Sequence, residues 1–523
     1  MRIQFKLKRL FPFIIIEVNV IINKFDMGNY GKSYNFLTIQ TGRYIRLRRW
    51  SMGRFAKVIG CCTLFVGVCA LTVFAALYDR APDVNPGTLP EMRTTAYWIA
   101  LMENPDEVVL TPQAIEKMNR AYELKAKSAN PFEGVAQERK ARIGSRWSSR
   151  VINAPDLLSM SPTALADTVK KVISTKVASL RRGTYGNVAA LPYAEREIQA
   201  FEDEMALDKV SDQVSLTHGI MVRDSRIRNV PSFLPEQPGI TGNGKGRWDM
   251  WNIGIVPVCS PVTILHQSLS GEYLLVFCNL KYGWVLAQDV AFATDRQIEE
   301  YANPKDFVVC TGDRVQYYAD PDCVYSTGWF RMGDRLPLAS KSGTNQVKIP
   351  FRNFDGQLMP GIAYLRPGSD YNKGFLPYTR RNIVETAFKL LDDPYDWTGG
   401  WWGRSHETIY PDIFAVFGFR LPWHGGLFTL FGNNENFTTP KMTEAEQFSI
   451  ILRNEPFVTL QSCGGHVQLL LGEYNDVPIV FDNHGYSYED EDGKTLEIRR
   501  VNIGIQRLPN YFLRRNVTFL TLN

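Results

Sequence analysis

The sequence predicts an α+β chain of several domains: a helical N-terminal region, two small antiparallel β-barrels and a C-terminal α+β domain. Three observations carry this expectation. The chain has 523 residues, 45% hydrophobic and 12% aromatic, long enough to bury several cores. Its apolar pattern changes character near residues 236 and 379. An uncharged, mostly apolar run from Val58 to Tyr78 separates a basic leader from everything that follows.

Residues 1–57 read as a basic stretch, disordered or mis-started. Phe11 to Ile22 is apolar but short and interrupted by Glu17, and Met27 and Met52 are alternative starts. Arg43, Arg46, Arg48, Arg49, Arg54 and Lys57 precede the apolar run of 58–78, so the basic side is expected to stay in the cytoplasm and the chain after Asp79 to lie outside it. The run is longer than the roughly 7–15 apolar residues of a cleaved signal, which favours a transmembrane anchor over a signal segment. Basic and acidic residues number 59 and 54, with the excess near the N-terminus and no basic stripe along a domain, so nucleic acid is not an expected partner. No solenoid-period repeat is present.

Residues 79–235 read as mostly helical, with Thr111-Pro112 supplying a cap and a first-turn proline. Residues 236–300 and 301–378 read as two barrels, because Gly, Pro and Asn punctuate short runs such as Tyr273–Phe277 and Tyr282–Leu286. Residues 379–523 read as the α+β domain. Thr379 caps a helix that buries Ile383, Val384, Ala387, Phe388 and Leu391, a second helix holds Ile413, Phe414 and Phe417, and strand-like runs follow at Val467–Leu471 and Pro478–Phe481. Cys259, Cys278, Cys310, Cys323 and Cys463 fall outside the apolar run, and their spacing allows two short-range disulfides or buried free thiols equally.

Four of the six histidines lie between residues 406 and 484, and His466 opens a strand after Ser462-Cys463-Gly464-Gly465. In this region Tyr395-Asp396-Trp397-Thr398-Gly399, then Asp412 to Gly418, then Leu421-Pro422, resembles the active-site block of NlpC-type cell-wall peptidases. The resemblance is to the γ-D-glutamyl-diamino-acid endopeptidase subgroup, with an N-terminal stabilising region and two SH3-like domains. Asn104-Pro105 and His218-Gly219-Ile220 resemble the stabilising region. Pro257-Val258 through Gly283-Trp284-Val285 resembles the first SH3-like domain, and Gly333 to Pro337 with Gly374 to Pro377 resembles the second. The likeness spans about residues 90–523 and implies a papain-like fold for residues 379–523.

That family works through a cysteine at a helix N-terminus, a histidine and a third polar residue that orients it. Matched without gaps, the cysteine position falls on His406, the histidine position is retained as His466, and the third position falls on Asp482. Pro411 argues further against an activated nucleophile at 406. A helix begun there would put proline in its second turn, at a cost of about 3 kcal/mol, so the helix is expected to start at Tyr410 or Pro411. Ser405 is the alternative nucleophile, and Cys463 reads as a packing thiol. Tyr395, Trp397 and Trp401, with Trp402, are expected to line the cleft. No cofactor and no metal are expected; the alternative is a zinc or iron site of His406, His466 and Asp482. The expected function is that of a catalytically inactive cell-wall peptidase homologue, held in the inner membrane by residues 58–78, its C-terminal part periplasmic or extracellular, binding peptidoglycan stem peptides or an envelope partner. The alternative is a divergent γ-D-glutamyl-diamino-acid endopeptidase with a non-cysteine or relocated nucleophile, so whether the chain is an enzyme stays open at this point.

Overall fold

The computed structural model describes residues 2–6, 17–26, 33–41, 85, 87–127, 157–182, 193–232, 249, 251–279, 281–340, 343, 345–399, 403–421, 437–463, 466–483, 487–489, 495–497, 500–505 and 517–523. The chain divides into two compact units, Met1–Arg80 and Ala81–Asn523. In the first unit, β1 (Arg2–Lys6), β2 (Glu17–Asp26) and β3 (Ser33–Thr41) form an antiparallel sheet in the order β1-β2-β3. The β-branched and aromatic residues in the sequence of Glu17–Asp26 and Ser33–Thr41 suit a pleated strand. The apolar run of 58–78 lies outside the described residues; among those that are described, no helix is long and apolar enough to cross a membrane.

In the second unit the helical region serves two different cores. Helices α1 (Thr95–Ala100) and α2 (Pro112–Lys127) send Trp98, Ile115 and Tyr122 into the core of the C-terminal domain. The Thr111 hydroxyl caps α2 by accepting from Ala114 N–H at 3.3 Å. Helix α3 (Pro162–Arg182) instead lays Leu165, Val169, Ile173 and Leu180 against Trp251, Leu275 and Trp284 of the first β assembly. Their spacings of four, four and seven residues put them on one apolar face. Helix α4 (Glu195–Glu204) packs beside it through the partly buried Ile198 and Phe201.

The first β assembly begins earlier than the expected boundary at 235/236. Strands β4 (Thr217–Met221) and β5 (Ser225–Arg228) lie within the stretch read as helical. They join β6 (Asn252–Val256), β7 (Pro261–Gln267), β8 (Tyr273–Cys278), β9 (Lys281–Leu286) and β10 (Val290–Phe292) in one seven-stranded sheet, order β10-β4-β7-β8-β9-β5-β6. The short polar strand Ser-Arg-Ile-Arg of β5 carries no alternation that announces it. Helix α5 (Asp295–Ala302), closed by a Thr294/Gln297 capping box, leads into the second assembly. There β11 (Phe307–Cys310), β12 (Arg314–Tyr318), β13 (Ser326–Arg331), β14 (Arg335–Pro337), β15 (Gln346–Arg352), β16 (Leu358–Leu365) and β17 (Tyr371–Lys373) make sheets of order β14-β11-β17 and β13-β12-β16-β15. Cys259, Cys278, Cys310 and Cys323 are free thiols.

The C-terminal domain packs α6 (Arg380–Phe388), α7 (Ile409–Ala415) and α8 (Glu444–Ile451) on an antiparallel sheet. The sheet consists of β18 (Phe437–Thr438), β19 (Thr459–Cys463), β20 (His466–Tyr474), β21 (Val477–Asn483), β24 (Val501–Ile505) and β25 (Val517–Thr521), order β18-β25-β19-β20-β21-β24, with β22 (Ser487–Glu489) and β23 (Thr495–Glu497) as a separate hairpin. Helices on one antiparallel sheet are the α+β arrangement expected. Gly333, in the β13–β14 turn, sets how closely the second β assembly approaches α7. Its φ is +84°, and a Cβ there would stand 2.6 Å from Ala415 Cβ and 2.7 Å from the Asp412 carbonyl oxygen.

Candidate functional site

The strand pairing assembles one half of the site. On β20, His466 and Gln468 are two residues apart and so share a face of the sheet. Gln468 pairs directly with Asp482 on β21, which makes Asp482 the diagonal neighbour of His466. One Asp482 oxygen accepts from His466 Nε2 at 2.9 Å, and the other accepts from Gln468 Nε2 at 2.9 Å. Gln461 of β19 extends the chain by donating to Gln468 Oε1 at 2.8 Å. All four side chains are buried, so each link lies in a low-dielectric setting where a missing partner is costly.

The turn before α7 supplies the other half. Ile409 N–H donates to the Ser405 carbonyl at 3.0 Å, but α7 proper runs only from Ile409, with Thr408 as its N-cap. Pro411 has no N–H to donate, so the first turn cannot continue regularly into the helix, and the structure starts it one residue before the expected Tyr410. His406 therefore sits in the preceding turn. Its ring lies 4.5 Å from the His466 ring, centroid to centroid, and 5.9 Å from Tyr395, which stacks on it at an interplanar angle of 21°. The imidazole of His406 fills the space facing His466. The turn is held in place from the sheet: Asn483 Nδ2 donates to the Arg404 carbonyl at 2.9 Å, and Tyr410 Oη donates to the Phe481 carbonyl at 2.8 Å.

Ser405 is 1% exposed, and its hydroxyl accepts from Glu407 N–H at 3.2 Å; no hydrogen bond joins it to His466. Asp482 spends both oxygens on His466 and Gln468, so it orients the imidazole instead of standing free as a ligand. Among the described residues no group of three or more His, Cys, Asp and Glu has a metal-site arrangement. Cys463 pairs with His466 in the β19–β20 register. Trp397 is half-buried in a short 3-10 helix, Trp397–Gly399, while Trp401 and Trp402 lie outside the described residues.

Both β assemblies reach this region. Thr398 of the Tyr395–Gly399 loop exchanges hydrogen bonds with Asn252 of β6, accepting from Nδ2 at 2.8 Å and donating to the Asn252 carbonyl at 3.0 Å. Arg331 of β13 donates to Asp412 Oδ2 at 3.0 Å, and the same oxygen accepts from Arg404 Nε at 2.8 Å. Arg404 also pairs with Asp313. Its burial disfavours the charge, but Asp412 and Asp313 outweigh that and raise its pKa. A guanidinium one residue from Ser405 is thus locked under the His406 turn by carboxylates from two domains.

Sequence reasoning singled out His406, His466, Asp482, Ser405 and Tyr395, and the structure gathers them. It passed over Gln468, whose signal was a polar residue two places from His466 in an otherwise apolar strand, and Gln461 on the neighbouring strand. It also passed over Arg331 and Arg404, and it read Asp412 only as the start of the Asp412 to Gly418 motif; the Arg331 partner lies in a distant segment.

No family model matches the chain, and no curated protein matches it in sequence. Among solved structures it is similar to an NlpC/P60 endopeptidase from Photobacterium damselae subsp. piscicida, with a TM-score of 0.59 at 15% identity, covering 82% of this chain and 97% of that one. At that identity the likeness is one of fold: several helices and antiparallel sheets arranged as in that endopeptidase.

Proposed function

We propose that this protein is a catalytically inactive relative of the cell-wall peptidases that binds peptidoglycan stem peptides or an envelope partner. One observation carries the reading: the ring facing His466 at 4.5 Å is the imidazole of His406. Cysteine or serine catalysis needs a thiol or hydroxyl that the neighbouring base can deprotonate, and the nucleophile then attacks the scissile carbonyl. Imidazole stacked on Tyr395 provides neither group, and the Ser405 hydroxyl is engaged within its own turn. The His466–Asp482–Gln468 chain persists as a buried polar network beside that imidazole.

In this reading the two β assemblies act as SH3-like domains that narrow the cleft and select the peptide terminus. The segment 58–78 holds the chain to the membrane, with residues after 79 on the wall side. Subgroup membership with the γ-D-glutamyl-diamino-acid endopeptidases rests on the order of the motifs from Asn104-Pro105 to Asp482. The Cys463–His466 register favours one second reading, a hydrolase with a relocated thiol. The test is to incubate the full-length protein with muropeptides, measuring binding and cleavage together. Saturable binding without cleavage is expected. Products that vanish in His466→Ala or Cys463→Ala would overturn the proposal.

A further inference from the structure

A second cavity lies on the side of α7 that meets the β assemblies. It has a volume of about 320 Å³ and is lined by Pro257–Pro261 of the first β assembly, Met332–Arg335 of the second, and Pro411, Asp412, Ala415 and Gly418–Leu421 of the C-terminal domain. That volume is at the low end of small-ligand sites, about 300–1,000 Å³. None of His406, His466 and Asp482 lines it.

Its charges are unevenly satisfied. Asp412 is neutralised by Arg331 and Arg404. Arg420, at the rim, is paired with Glu116 and Glu123. Arg335 differs: its guanidinium lies 5.5 Å and 5.7 Å from the Phe307 and Phe375 ring centroids, and among the described residues it gives one hydrogen bond, to the Ala302 carbonyl at 2.7 Å. Among the described residues no carboxylate is within ion-pair distance of it. A guanidinium carries five N–H donors in a planar fork suited to two-point recognition of carboxylate or phosphate, and stacking on aromatic rings offsets only part of its desolvation. Asp334, the adjacent acid, accepts from Arg331 N–H at 3.0 Å, and burial together with the charge of Asp224 pushes its pKa well up.

From this geometry we infer that the cavity binds a small anionic ligand, a carboxylate or phosphate group seated on the guanidinium of Arg335. The cavity is separate from the His406–His466–Asp482 cluster, since none of those three residues lines it. It is tested by calorimetric titration of the full-length protein with the dipeptide Ala-Ala, its C-terminal amide and inorganic phosphate. Saturable binding of Ala-Ala or phosphate is expected, with the amide at least ten-fold weaker than the free acid if carboxylate is the group recognised; the tighter of the two anions identifies the source. Arg335→Met, which retains the packing against Phe307 and Phe375, should weaken binding at least ten-fold, and Arg335→Lys, which keeps the charge and serves as the folding control, should weaken it less. If the unaltered protein gives no saturable binding with either anion, or if Arg335→Met and Arg335→Lys both bind as tightly as the unaltered protein, the inference is wrong.

Discussion

Replacing Asp482 by alanine removes the acceptor shared by His466 Nε2 and Gln468 Nε2, each at 2.9 Å and each on a side chain less than 5% exposed. Leaving a buried donor unpaired costs about 1–3 kcal/mol, so two orphaned donors predict a loss of about 2–6 kcal/mol. The lower end applies if the imidazole changes tautomer and places its proton on the other nitrogen. Asp482→Asn should cost less, about 1–3 kcal/mol, because its amide oxygen satisfies one donor while its NH2 opposes the other. The chain has several cores, so a global melting curve would mix their transitions. Amide hydrogen exchange in β20 and β21 of the full-length protein reads the local opening free energy directly. Asp482→Ala should accelerate exchange in these strands by about 30-fold or more, since each 1.4 kcal/mol is a factor of ten, while amides of the first β assembly stay unchanged. Acceleration of less than about five-fold would mean that the His466–Asp482–Gln468 chain is not the buried, satisfied network described above.

The other predictions concern the joints and the buried acids. Asp412→Ala leaves the Arg331 guanidinium, 6% exposed, without its carboxylate; the expected cost is about 3–5 kcal/mol, checked by exchange in α7 and β13 together. Gly333→Ala forces a side chain into a φ of +84° and against Ala415; a loss of about 2–4 kcal/mol is expected, read by chemical denaturation. Burial raises the pKa values of Asp224 and Asp334, and burial plus the charge of Asp313 raises Asp393 to about 6. These acids hold protons in the folded state that the unfolded chain has released between its carboxylate pKa near 4 and the folded values. Stability from these groups is therefore greater at pH 5.5 than at pH 7.5, and it falls as pH rises. Amide exchange around Asp393, corrected for the intrinsic rate at each pH, should show greater protection at pH 5.5 than at pH 7.5, with the difference reduced in Asp393→Asn. A flat or opposite profile in the unaltered protein would contradict the assignment.

How much was legible in the sequence depended on how far each signal reached along the chain. The Thr379 cap, whose hydroxyl accepts from Asn382 N–H at 3.2 Å, and the β8 and β9 runs are local features, set by side chains within a few residues of each other, and they are found where they were read. The start of α7 was read to within one residue because proline's missing N–H is a property of proline alone. Strands β4 and β5 lie in the stretch read as helical because they are strands through their pairing, β4 with β7 and β10 and β5 with β6 and β9, not through their own preference.

The identity of the residues at the site, with imidazole at 406 and 466 and carboxylate at 482, was a property of the sequence by itself, because chemistry travels with the side chain. Only the tertiary structure decided that Gln468 shares the Asp482 carboxylate, that Arg331 and Arg404 meet on Asp412, and that Arg335 opens into a cavity without an anion of its own. Those relations join residues up to 81 positions apart, and burial gives them their energy; neither separation nor desolvation is written in any local stretch of chain.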